Sequence, residues 1–128
     1  MIRDLAIISI IVISVIGSHI FLQNMIKEDS TEITKKMENV KLAIESNVET
    51  EELKDEISNI YEEWRKKADI WSILVDHQEV DAIEKSIMSV KASIESKDME
   101  QIIPKIDETI FMISLIEDKE RLNLKNIF

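Results

Sequence analysis

Apolar residues follow two regimes along this chain. From Leu5 to Leu22 the sequence LAIISIIVISVIGSHIFL carries no formal charge and is apolar on nearly every side. As a helix it spans about 27 Å at 1.5 Å per residue, close to the hydrocarbon thickness of a bilayer. Beyond Leu22 the apolar positions become periodic. Ile33, Met37, Val40, Ile44 and Val48 recur at steps of four and three, which predicts a helix with one apolar seam. Leu53, Ile57, Ile60, Tyr61, Trp64, Ala68, Trp71 and Val75 form a second seam. Val80, Ile83, Ile87, Val90 and Ile94 form a third, its mean direction rotated from the second by about 100°. Ile102, Ile103, Ile106, Ile110, Ile113 and Ile116 give a last helix a broad apolar face. The pattern predicts an all-α protein. An N-terminal transmembrane helix is followed by a small antiparallel helical bundle of three or four helical segments. Residues 1–26 form the anchor and residues 27–128 the bundle domain.

Cap signals place the breaks. Asp29-Ser30-Thr31-Glu32 reads as a capping box, Thr50 can cap the next helix, and Asp98 with Gln101 can open the last. Pro104 lies past that first turn and is expected to kink the helix or mark its true start. Asp76-His77-Gln78-Glu79 is a further D-x-x-E pattern, located where the second seam gives way to the third. A length count points to the same place. A helix continuing from the anchor through residues 27–47 rises about 31 Å, and its antiparallel successor regains the membrane surface near Trp71. Carried straight on, Asp76, Glu79 and Asp81 would enter lipid at a few kcal/mol each. A hairpin at residues 76–79 avoids this and brings the closing LNLKNIF back toward the membrane. The alternative is a hinge at Asp29 and one long helix over residues 51–96, bent near residue 77.

Val15-Ile16-Gly17 before Ser18 also suits a leader peptidase. Apolar character continues through Ile20, Phe21 and Leu22, however, whereas a signal core is usually only about 7–15 residues long. The expectation is an uncleaved anchor. Arg3 stands on one side, and Lys27, Lys35 and Lys36 on the other, which slightly favours the bundle inside. A short N-terminal tail before a lone span is the usual layout for an exported domain, and a long domain weakens the charge rule. A single-pass protein of the cell membrane with an extracytoplasmic bundle is expected. Ser14, Gly17 and Ser18 would let two anchors approach closely, or are ordinary usage in a lone span, so a homo-oligomer stays open. His19 is placed near the outer headgroups.

Composition sharpens this picture. One Gly and one Pro in 128 residues argue for long helices and short links. The net charge of −10 lies wholly beyond the apolar run, because Arg3 and Asp4 cancel. Such a surface repels phosphate backbones, so no nucleic-acid partner is expected. The absence of Cys excludes disulfides, thiolate metal sites, a Cys nucleophile and lipoprotein attachment.

Candidate chemistry is sparse. His77 and Asp81 share a helix face within Asp76-His77-Gln78-Glu79-Val80-Asp81. Paired Glu-x-x-His motifs and a two-His zinc helix are both absent from the sequence, so no metal and no cofactor are expected. His77 and its neighbours read as a capped turn, or as a pH-sensitive or partner contact. Trp64 and Trp71, seven apart on one stripe, read as bundle core or membrane-interface anchors ahead of a ligand platform. The candidate interaction or membrane-interface residues are therefore Trp64, Trp71, His77 and Glu79. Glu49-Glu51-Glu52 and Arg65-Lys66-Lys67 read as solvated faces. The sequence holds no phosphate loop or nucleophile elbow, and carboxylates are too plentiful to mark a catalytic pair.

WSILVDHQEVDAIEKSI and the closing LNLKNIF resemble an uncharacterised family of short, single-anchor helical membrane proteins of spore-forming, clostridia-like bacteria. Trp64, Trp71, Asp76-His77-Gln78-Glu79, Ile83-Glu84 and Asn126-Ile127 carry the resemblance. It implies a membrane-tethered helical protein, with no catalytic residue to carry over. The expected function is a non-enzymatic, membrane-anchored accessory or interaction protein of the bacterial envelope, linked through the resemblance to sporulation, with a protein partner in the membrane. The alternative is a ligand-sensing helical domain acting through such a partner, since the four residues before Leu5 cannot carry a signalling output.

Overall fold

One spacing rule governs the buried positions of every helix. The computed structural model describes residues 1–127, with side chains through Leu122. Among them the chain forms α1 (Ile2–Glu45), α2 (Thr50–Trp71), α3 (His77–Glu95) and α4 (Met99–Ile127), and no strand. In α1 the buried residues are Gln23, Ile26, Ser30, Ile33, Met37, Val40 and Ile44, at alternating steps of three and four. Val80, Ile83, Ile87, Val90 and Ile94 repeat the rule in α3. Ile102, Ile106, Thr109, Ile113, Ile116 and Glu120 repeat it in α4. A sustained 3.5-residue period keeps each seam on its neighbours and implies a left-handed supercoil. Each helix packs on two others, α1 on α2, α2 on α3, α3 on α4 and α4 back on α1. The result is an up-down-up-down four-helix bundle.

The predicted hairpin is present, and the single long helix over residues 51–96 is not. α2 stops at Trp71, and Asp76 caps α3 by accepting the Gln78 amide at 2.9 Å. The capping box expected at Asp29 is not used. α1 runs unbroken through residues 29–32, and the Asp29 carboxylate is engaged by side chains of α2 instead. Thr50 is already the first helical residue of α2, with Glu49 at the cap position and no side-chain bond there. Pro104 does not mark the start of α4, which begins at Met99. The last seam also differs from the expected face. Ile103 and Ile110 are only half-buried, and Thr109 takes the core position. Its hydroxyl donates to the Lys105 carbonyl at 2.8 Å and accepts from Ser86 at 2.5 Å, so burial leaves it satisfied.

Two sharp turns lack glycine. Asn47 and Lys97 adopt φ of 60° and 58°. Behind each, amides reach back to carbonyls of the last turn, Val48 to Ala43 at 3.0 Å and Asp98 to Ser93 at 3.0 Å. These are Schellman closures of α1 and α3, in which a left-handed residue follows the cap.

The N-terminal part of α1 stands apart from the bundle. It is long and apolar enough to cross a membrane, and its most apolar stretch has no buried residue. Partial cover begins at Ile16, His19 and Leu22. In the closing LNLKNIF, expected near the membrane, the side chains beyond Leu122 lie outside the described ones, although the α4 backbone stays helical to Ile127.

Candidate interaction surface

The two tryptophans lie in the core. Trp64 and Trp71 are fully buried and meet edge to face, their ring centroids 5.0 Å apart at an interplanar angle of 73°. An aromatic pair in this geometry is favourable beyond its buried area. The Trp71 indole N–H donates to Asp29 Oδ2 at 3.0 Å, which ties the end of α2 to α1. Trp64 Nε1 is buried without a partner. Neither ring is open to a ligand or to lipid, so of the roles expected for them the core role is the one their burial permits.

His77 and Glu79 are on the surface. His77 Nε2 lies 3.6 Å from Asp81 Oδ2, the predicted i, i+4 pair, and Nδ1 lies 3.5 Å from the Ser72 hydroxyl. Glu79 accepts from Lys119 of α4 at 3.1 Å. Position brings Trp71, His77 and Glu79 to one end of the bundle, but the four residues do not converge on a shared cavity. Among the described residues no group of three or more His, Asp or Glu side chains is placed to hold a metal ion.

Charge is arranged as a ladder between α1 and α2. Lys67 reaches Glu32 at 2.9 Å and Asp29 at 3.4 Å. Lys36 reaches Glu32 at 3.2 Å and also contacts Glu63. The Lys67 and Lys36 ammonium groups hold the Glu32 carboxyl below its usual range, and Glu63 above all raises Lys36. Beside the ladder lies an open groove of about 470 Å³, lined by Lys36, Asn39, Glu56, Asn59, Glu63 and Lys66 among others. At the anchor end, Gln23 Nε2 donates to the Glu120 carbonyl at 2.8 Å and lies 3.3 Å from His19 Nε2. Burial raises the Glu120 carboxyl above its usual range, His19 and Lys119 oppose that rise, and Glu79 adds to it.

One apolar surface was not singled out by the seams. Lys119 and Lys105 of α4 face α3, whereas Asp107 pairs with Lys41 of α1. Between these flanks the outward stripe of α4 runs Pro104, Glu108, Phe111, Leu115, Asp118, Leu122. Phe111, Leu115 and Leu122 remain 61%, 50% and 57% exposed. The matching stripe of α1 is Glu28, Thr31, Lys35, Glu38 and Leu42, mostly polar. Large apolar residues at the outward heptad position were the signal in the sequence, and the broad isoleucine face masked it. Grouped exposed apolar side chains are characteristic of contact surfaces.

Comparison with known protein families gives a match over residues 20–127 to the family described as Domain of unknown function (DUF4363). The matched region takes in the covered end of the apolar run together with the whole bundle. No curated protein and no solved structure matches the chain significantly.

Proposed function

We propose, for a chain that belongs to the DUF4363 family, that it is a membrane-tethered, non-enzymatic helical interaction module. One observation carries this reading. The helix that forms one wall of the bundle continues as an unburied apolar rod, while the outward stripe of α4 presents Phe111 and Leu115 on the bundle and Leu122 near the top of the rod. The rod suits a bilayer, and the stripe suits a protein partner held near the same membrane. The bundle then lies outside the cytoplasm, the usual layout for a short tail before a lone span, and the resemblance suggests the envelope of a spore-forming bacterium.

A ligand-sensing role is the second reading, favoured by the groove between α1 and α2. It ranks lower because the groove is open and one of its two lysines, Lys36, is already matched to carboxylates, Glu32 and Glu63.

The test is purification of the full chain from native membranes in mild detergent, beside a Phe111→Ser, Leu115→Ser variant. Both substituted positions are exposed, so the helical circular dichroism and melting of the variant should match the parent. A protein that co-purifies in fixed proportion with the parent and is lost from the variant supports the module. Equal recovery with both chains removes the α4 stripe from the argument. A bound small molecule in place of a protein supports the sensing role.

A further inference from the structure

We propose that the α2–α3 turn is a second membrane contact, with Ile73 seated in the interfacial layer of the bilayer beside the anchor. This rests on the tether reading and adds a lipid-facing surface to the bundle itself.

The register of the helices sets the height of the turn. Trp71 bonds Asp29, and Lys67 bonds both Asp29 and Glu32, so the end of α2 is level with those residues of α1. Asp29 stands seven residues beyond Leu22, about 10 Å above the end of the apolar run at 1.5 Å per residue. α2 descends toward the anchor, so Ile73, two residues past Trp71, lies about 3 Å lower. That leaves it about 7 Å above the hydrocarbon edge, within the thickness of one headgroup layer, about 5–7 Å.

The turn has the surface and the rigidity for this place. Ile73 is 67% exposed at its tip, and Ile70 is exposed on the last turn of α2. Amides of Ile73, Leu74 and Val75 bond back to carbonyls of Ile70 and Trp71 at 3.1, 3.0 and 2.8 Å. Val75 is buried beneath them, so the tip is held out from the core rather than folded back into it. Asp69, Asp76 and His77 flank the tip, and the bundle as a whole is acidic. Attraction to anionic headgroups therefore cannot be the driving force. The contact is apolar, within the headgroup layer above the hydrocarbon edge, and continues the apolar surface that α1 presents below it.

The absence of Cys from the chain makes the test direct. Full-length Ile73→Cys, Leu42→Cys and Val12→Cys chains carry an environment-sensitive fluorophore in phosphatidylcholine vesicles, and quenching is measured with lipids spin-labelled near the headgroup, for position 73, and deep in the acyl chain, for position 12. All three positions are exposed on the protein, so labelling leaves the core intact. Leu42 lies at the far end of α1, and Val12 lies within the anchor. The expected result is lipid quenching at position 12 and, with a blue-shifted emission, at position 73, several-fold stronger than at position 42. Quenching at 12 with a water-exposed signal at 73 overturns the second contact and leaves the tether standing. Shielding at 73 that persists without lipid quenching assigns the tip to a protein contact and also overturns it. A water-exposed label at 12 overturns the tether, and this inference with it.

Discussion

Replacing Asp29 with Ala should weaken the bundle far more than removing a surface carboxylate does. Its side chain is 14% exposed and accepts the indole N–H of the fully buried Trp71 at 3.0 Å. Truncation leaves that N–H buried and unpaired. Losing a hydrogen bond to a charged group is worth about 1.5–3 kcal/mol. The Lys67 pair adds little, because Lys67 keeps Glu32. Ala is a better helix former than Asp by about 0.6 kcal/mol, which offsets part of the loss. The net expectation is about 1–2.5 kcal/mol, or a fall in Tm of about 5–15 °C for a bundle of this size. Asp29→Asn keeps an uncharged acceptor and should lie between parent and Ala. The assay is thermal unfolding of the full chain in mild detergent, followed by circular dichroism, with exposed Asp55→Ala as reference. A double-mutant cycle with Trp71→Phe isolates the pair, with an expected coupling of about 1–2 kcal/mol. If Asp29→Ala matches Asp55→Ala within about 0.5 kcal/mol, or the coupling vanishes, the bond does not tie α2 to α1 as argued.

Lys97→Gly should stabilise the bundle by about 0.5–1 kcal/mol in the same unfolding assay, because glycine occupies the left-handed region without Cβ strain. Glu120→Gln should also stabilise, and in a pH-dependent way. Burial raises the folded-state pKa of Glu120, so the folded chain holds its proton more tightly than the unfolded chain. Stability due to this group falls as pH rises from the unfolded value through the folded one, so melting curves of parent and variant should converge at low pH and separate toward neutrality. Spin labels at positions 62 and 88 should lie within about 15 Å across the packed α2–α3 hairpin. A value near the 39 Å or so of a straight helix would contradict the turn at residues 72–76.

Much of the bundle was written in the hydrophobic pattern, and the exceptions have physical causes. The hairpin was legible because a shifted seam, a D-x-x-E cap and a length count met at one place. The lower half of the α1 seam was hidden because polar residues, Gln23 and Ser30, hold core positions there while the surrounding anchor is apolar on every side. Thr109 was passed over for Ile110 because hydroxyl satisfaction by Ser86 depends on a neighbouring helix. Asp29 looked like a cap because local sequence contains the capping box but not Trp71, 42 positions away. Left-handed Lys97 gave no signal, since lysine has no preference for that region. Of the candidate site residues, His77 and Glu79 lie on the surface beside the Asp76 cap, and the sequence could not say that Glu79, expected as the reciprocal cap, would instead find Lys119.

The unbroken course of α1 makes it a torsion shaft. Between Ser18 and Glu45 it contains neither Gly nor Pro, and its bonds to α2 and α4 clamp it to the bundle at several heights. A twist of the anchor about its own axis therefore cannot be absorbed at a hinge and must turn the bundle as one piece. The compass bearing of the α4 stripe is set by the number of residues in the shaft. One residue inserted after Leu22 would swing it by about 100°, and seven would return it to within about 20° of its starting bearing, one heptad farther from the apolar rod.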